Sequence, residues 1–244
     1  MVILFIIIYP ISQEDIHMSR RRAKLATVTI QGVELIDQVI ERVKADPTAI
    51  SGFCGDHPLE TPTPMPAERL ATLTFPSGKP LPPSLRRWLA FDTSWLAGFE
   101  WFDADENFAP RRLNQIVTDE FEELWGQMYE PIGAKADECF LLPGGSDSRR
   151  IYAVTEPDCL GEYPVLVIDT DDLPYVAVMY PGFDVFMADE AGLDGIACDF
   201  PTYEGLFDDP RFAKRLREHA RKLFNGRPSI EIGDEEWGFT DLEA

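Results

Sequence analysis

The chain has 244 residues, 45% of them hydrophobic, which is enough for one sizeable core with appendages. Its 22 Lys and Arg against 43 Asp and Glu leave a net charge of −21, and this argues against nucleic acid as a direct partner, because a phosphate-binding surface needs a positive face. Four widely spaced cysteines without a Cys-x-x-Cys pair fit reduced thiols in a cytoplasmic protein better than a disulfide framework.

Residues 1–11 read MVILFIIIYPI, an apolar run too short to span a bilayer and without the basic flank or cleavage site of a secretory signal. Three readings stay open: an extension from an upstream start with Met18 opening the protein, an extra strand, or a weak membrane-surface anchor. The first is favoured, so residues 1–17 are set apart as a doubtful extension. After Thr29, Val33, Ile36, Ile40 and Val43 recur at helical spacing until Asp46-Pro47 stops the helix. The Pro-rich stretch 47–66 reads as a linker, which makes 18–66 a helix and linker ahead of a core at 67–228.

Pro66 opens a short helix. Residues 81–92, LPPSLRRWLAFD, open another, with Leu85, Trp88 and Leu89 as its apolar face. Residues 99–102 read as a short strand. Leu113, Ile116, Val117, Phe121, Leu124, Trp125 and Met128 then keep helical spacing in what reads as one helix, closed by Pro131. Residues 139–142 and 151–154 predict a hairpin across Pro143-Gly144-Gly145-Ser146-Asp147, a turn that lacks the Lys of a phosphate loop.

Residues 161–193 contain three apolar runs, 164–168, 175–180 and 184–187, whose alternation and intervening turns predict an antiparallel meander. The turn at Asp169, Asp171 and Asp172 lacks the sixth-position Gly and twelfth-position Glu of a calcium loop. Asp208-Asp209-Pro210 opens a last helix with Phe212, Leu216 and Leu223 on one side, and Asn225-Gly226 ends it. Its Lys214, Arg215, Arg217, Arg221 and Lys222 complement the helix dipole and are available to pair internally with the acidic sheet. Residues 229–244 read as an acidic tail.

No Lys or Arg occurs between Arg150 and Arg211, while carboxylates recur from Glu156 to Asp209. A region with one sign of charge projects a negative field that steers a cationic partner. Asp169, Asp171, Asp172, Asp184, Asp189 and Glu190 are the candidate contacts, each offering charge rather than chemistry; for any one of them a solvated turn or strand end is the plainer alternative. Cys54, Asp56 and His57 resemble half a zinc site, but no second ligand pair stands at suitable spacing. With three His in the chain, a Ser-His or Cys-His site has few available bases, so neither a metal, a cofactor nor an enzymatic activity is expected.

At LPPSLRRWLAFD and GEYPVLVIDTDDLPYVAVMYPGFDVFMADEAGL the chain resembles the SUKH superfamily, which contains bacterial toxin-immunity proteins and fungal cell-wall synthesis regulators. Leu81-Pro82 and Ser84-Leu85 match its early helix; Gly161, Ile168-Asp169, residues 176–178 and Ala188-Asp189 match its later strands. Asp92-Thr93-Ser94-Trp95 departs from the Asn-Gly-Gly of the pattern, and Glu190-Ala191 from its Ser-Phe. The resemblance implies an α+β fold, an antiparallel or mixed sheet with helices packed on one side, and a class that the residue patterns also indicate. It implies a non-enzymatic immunity protein that binds and neutralises a basic toxin domain through an acidic sheet surface. The alternative is an intracellular scaffold or adaptor with several weak partners.

Overall fold

The computed structural model describes residues 30–50, 58–144, 148–169, 175–193, 196 and 203–231. The N-terminal run, the Cys54-Asp56-His57 cluster, the Gly145-Ser146-Asp147 turn, Asp171, Asp172 and the residues after Glu231 lie outside that set.

The fold is α+β. Among the described residues five strands, β1 (Cys139–Leu142), β2 (Ser148–Ala153), β3 (Val165–Asp169), β4 (Tyr175–Tyr180) and β5 (Ser229–Glu231), pair in sequence order, each antiparallel to the next. The hairpins at β1–β2 and β3–β4 fall where the alternation places them. β5 takes three residues expected in the tail, because Val176 and Ala177 of β4 offer their free edge to Ile230 and Ser229.

Helices are α1 (Val33–Ala45), α2 (Ala67–Thr72), α3 (Pro83–Leu89), α4 (Ser94–Ala97), α5 (Leu113–Phe121), α6 (Glu123–Met128), α7 (Glu130–Gly133), α8 (Phe183–Glu190) and α9 (Ala213–Leu223). α1 buries Leu35, Ile36, Val39, Ile40 and Val43 against α3 and α8, so the helix expected ahead of the core belongs to it. It stops where Asp46 turns extended before Pro47.

Three local expectations change. The run 184–187 is helix α8, not a third strand. Phe183, Asp184, Val185, Phe186, Met187 and Ala188 are all fully buried, and a short apolar run enclosed on every side carries no period that separates strand from helix. The long helix after Leu113 breaks at Glu122, whose φ of 90° and ψ of 164° lie where glycine is usually required. There α6 folds back on α5, and Gly126 lies so close to Thr118 and Asn114 that a Cβ would overlap them. Pro131 consequently sits in the first turn of α7, where its missing N–H is tolerated, and opens a helix instead of closing one. Residues 99–102 form no strand; Phe102 makes a single bridge to Phe108 while Trp101 enters the core.

The helices do not all lie on one side of the sheet. Successive β2 residues point to opposite faces. Arg149 meets Glu120 and the Phe121 ring of α5, whereas Tyr152 packs on Phe183 of α8. Val165, Leu166, Val167 and Ile168 of β3 are all fully buried, so the central strand is covered on both faces.

Candidate functional site

With the strand faces buried, the carboxylates predicted as a sheet surface fall into two environments. One is internal. Asp184, at the start of α8, is fully buried, and Arg215 of α9 grips it through Nη1 and Nη2 at 2.9 and 3.0 Å. The Nε of the same guanidinium donates to Asp158, and Asp184 also accepts the Gly32 N–H at 2.7 Å. Asp184 is therefore withdrawn from any surface. It ties α8 to α9 and to the entry of α1, and the expectation of a partner contact there is corrected.

Around this pair lie Glu162, held by the backbone N–H and hydroxyl of Ser84, and His219, whose Nε2 is 3.0 Å from the Pro181 carbonyl and 3.7 Å from Asp158. Gly182 is the contact point of the cluster: a Cβ there would stand 2.5 Å from Asp184 Oδ1 and 2.6 Å from Arg215 Nη2. Sequence reasoning placed Arg215 among five cations available to pair internally but did not single it out from the others, and it missed His219, yet the sequence contained a signal. Both fall on the α9 stripe formed by Phe212, Leu216, Ala220 and Leu223, and a cation on an apolar stripe needs a buried carboxylate.

Burial and the neighbouring Asp184 charge push the Glu162 carboxyl up to about 8. Burial alone would raise Asp158 too, but hydrogen bonds from His219 and Arg215 and the Arg215 charge outweigh it and bring Asp158 down to about 2. The signs are opposite. Glu162 disfavours folding progressively as pH rises from its ordinary 4.5 through 8, while Asp158 withdraws stability as pH falls from 3.8 through 2. Denaturation by urea should therefore show this cluster at its most favourable near pH 4 to 5, with a decline toward pH 8.5. Glu162→Gln should flatten that decline; an unchanged slope between pH 5 and 8.5 would show that Glu162 does not titrate in this range.

The second environment is at the rim of the sheet. Asp169 ends β3, and Asp189 and Glu190 end α8, where the negative pole of the helix dipole adds to their charge. All three are half-buried. The Asp169 carboxylate accepts the Tyr203 hydroxyl at 2.6 Å and Asp189 accepts that of Tyr180 at 2.5 Å. The Tyr129 hydroxyl accepts the Tyr175 N–H and donates to the Asp169 carbonyl, both at 2.9 Å, which anchors the strand ends next to residues 170–174. Arg150 lies over the Tyr203 ring, 5.2 Å from its centroid, and its charge reaches Glu190. Burial, then Asp189, push Glu190 up to about 7, with Arg150 acting in the opposite sense. The structure thus links Asp169 to Arg150 through Tyr203, brings Glu190 within reach of the Arg150 charge, leaves Asp189 on Tyr180 at the other end of β4 from Tyr175, separates Asp184 from them, and leaves Asp171 and Asp172 outside the described residues.

Among the described residues no group of three or more His, Cys, Asp or Glu side chains is placed to hold a metal ion, and no helix is long and apolar enough to cross a membrane. The chain matches no family model and no curated protein. Among solved structures it is similar to an uncharacterized protein from Salmonella enterica subsp. enterica serovar typhimurium str. 14028s, with 16% identity over 83% of this chain and 96% of that one, at a TM-score of 0.45.

Proposed function

We propose that this is a cytoplasmic, non-enzymatic binding protein that neutralises a basic toxin domain, with the rim patch of Asp169, Asp189 and Glu190 as its contact surface. The observation that carries this reading is the division of the carboxylates. Arg215 is paired with Asp158 and Asp184 inside the fold, whereas Asp169 and Asp189 are half-buried and accept tyrosine hydroxyls, neutral donors that orient a carboxylate, and Glu190 is half-buried at the end of α8. Such a patch favours cationic side chains and speeds their arrival. Asp171 and Asp172 stand two and three positions after Asp169 in the sequence, beyond Thr170, and add to the acidic charge of this stretch. The SUKH resemblance supports the choice of a toxin as the basic partner.

The test begins with capture on the full chain from the lysate of its own organism, at low and high salt, with mass spectrometry of what is retained. One stoichiometric basic polypeptide is expected, with an on-rate that falls as salt rises. Combining Asp169→Asn, Asp189→Asn and Glu190→Gln should slow that association by about tenfold at low salt and flatten its salt dependence. An on-rate and salt slope untouched by the triple change would remove the patch from the interface. A spread of weak partners would favour the adaptor.

A further inference from the structure

The rim patch already contains a cation. Arg150 is the last basic residue before the interval that runs to Arg211, and β2 projects its side chain to the face opposite that of Arg149. The two neighbours are held differently. Arg149 makes an ion pair with Glu120 at 2.5 Å, whereas Arg150 is seated on the Tyr203 ring and donates to the Ser148 hydroxyl at 2.9 Å, with no ion pair within 4.0 Å among the described residues. Tyr203 in turn donates to Asp169, so one ring joins Arg150 to the carboxylate at the end of β3. The Arg150 charge also acts on Glu190. It is half-buried, reachable from solvent, and held by contacts that an exchange can break without stranding a buried charge.

We infer that Arg150 is a built-in competitor: its guanidinium, stacked on the Tyr203 ring that is hydrogen-bonded to Asp169, occupies the place that an arginine of the partner would take, and so sets how tightly the patch binds cationic side chains. This rests on the reading of the rim patch as the partner surface. A partner arginine must either displace Arg150 from the ring or bind beside a like charge; both weaken binding relative to an empty seat. Basic segments with several arginines gain enough to displace Arg150, and single cations do not.

The experiment is a titration of the full chain with a blocked hexa-arginine peptide amide at pH 8 and low salt, read from the backbone amide shifts of Asp169, Asp189 and Glu190. Arg150→Gln should bind roughly three- to tenfold tighter, the effect of removing a like charge several ångströms from the incoming one. Arg150→Lys, which keeps the charge, should stay close to the unaltered protein. Equal or weaker binding by Arg150→Gln would overturn the inference, as would loss of its native shift dispersion, which would make Arg150 a structural cation. The triple change Asp169→Asn, Asp189→Asn, Glu190→Gln separates the two ideas. If it leaves peptide binding intact, the patch itself is misassigned; if it abolishes binding while Arg150→Gln has no effect, the patch stands and the competitor does not.

Discussion

Arg215→Met is expected to lower the stability of the fold by about 3 to 5 kcal/mol, the range found when one member of a buried ion pair is removed. Arg215 is 3% exposed, and its guanidinium serves Asp158 through Nε, Asp184 through both Nη atoms, the Pro181 carbonyl at 3.3 Å and Gln31 Oε1 at 2.9 Å. Met fills much of the volume and supplies none of the donors. Two carboxylates then stay buried with no cation and must take up protons to remain there, so the deficit should shrink as the pH is lowered from 7 to 4. Arg215→Lys should fall between the two, because one ammonium cannot reproduce a fork shared by two carboxylates. Urea denaturation of the three proteins at pH 4 and pH 7 checks this; a loss under about 1 kcal/mol at pH 7 would mean that the network is not a keystone of the fold.

Trp101→Ala is the second large effect, a loss of about 3 to 5 kcal/mol by transfer and cavity terms together. Trp101 is fully buried and stacks on Phe140 of β1 at 4.5 Å, with Tyr152 of β2 at 5.3 Å and Phe183 of α8 at 6.3 Å. It therefore joins the sheet to α8 alongside the direct Tyr152–Phe183 contact, and its removal leaves the space between those rings unfilled. Its indole N–H also donates to the Leu141 carbonyl at 2.7 Å, satisfying an acceptor on the outer edge of β1. Trp101→Phe keeps most of the ring and loses that donor, so it should recover more than half of the loss, leaving about 1 to 2 kcal/mol. Equal losses from the Ala and Phe changes would show that the hydrogen bond, and not the packing, dominates at this site.

Both effects come from places where distant segments meet, and that governs how much was legible beforehand. α1 and α3 stood out in the sequence because each has one apolar stripe and a proline-set boundary, features decided within a few residues. The β1–β2 and β3–β4 pairs were legible for the same reason: their runs are short and turn residues stand between them. α8 was not, since its run is buried on every side and the amphipathic signal disappears when solvent is absent from both faces. The break at Glu122 was hidden as well. Nothing local disfavours a continuous helix there, and the reversal is held in place by Gly126 fitting against Thr118 and Asn114.

The carboxylates make the same distinction for the site. Composition and charge order alone determined that the middle of the chain is acidic and that it has no Lys or Arg between Arg150 and Arg211, so that its field is negative. Within a sequence, however, Asp169, Asp184 and Asp189 look alike, since each is an acidic residue at the end of an apolar run. Only the tertiary structure decided that Asp184 goes inside, because α9 arrives from 31 residues away with Arg215 on its buried stripe. It likewise decided that Tyr203 joins Asp169 to Arg150, and that Glu190 comes within reach of the same cation. Local patterns encode secondary structure because backbone geometry repeats over a few residues, whereas the fate of a charge depends on which distant group shares its desolvation.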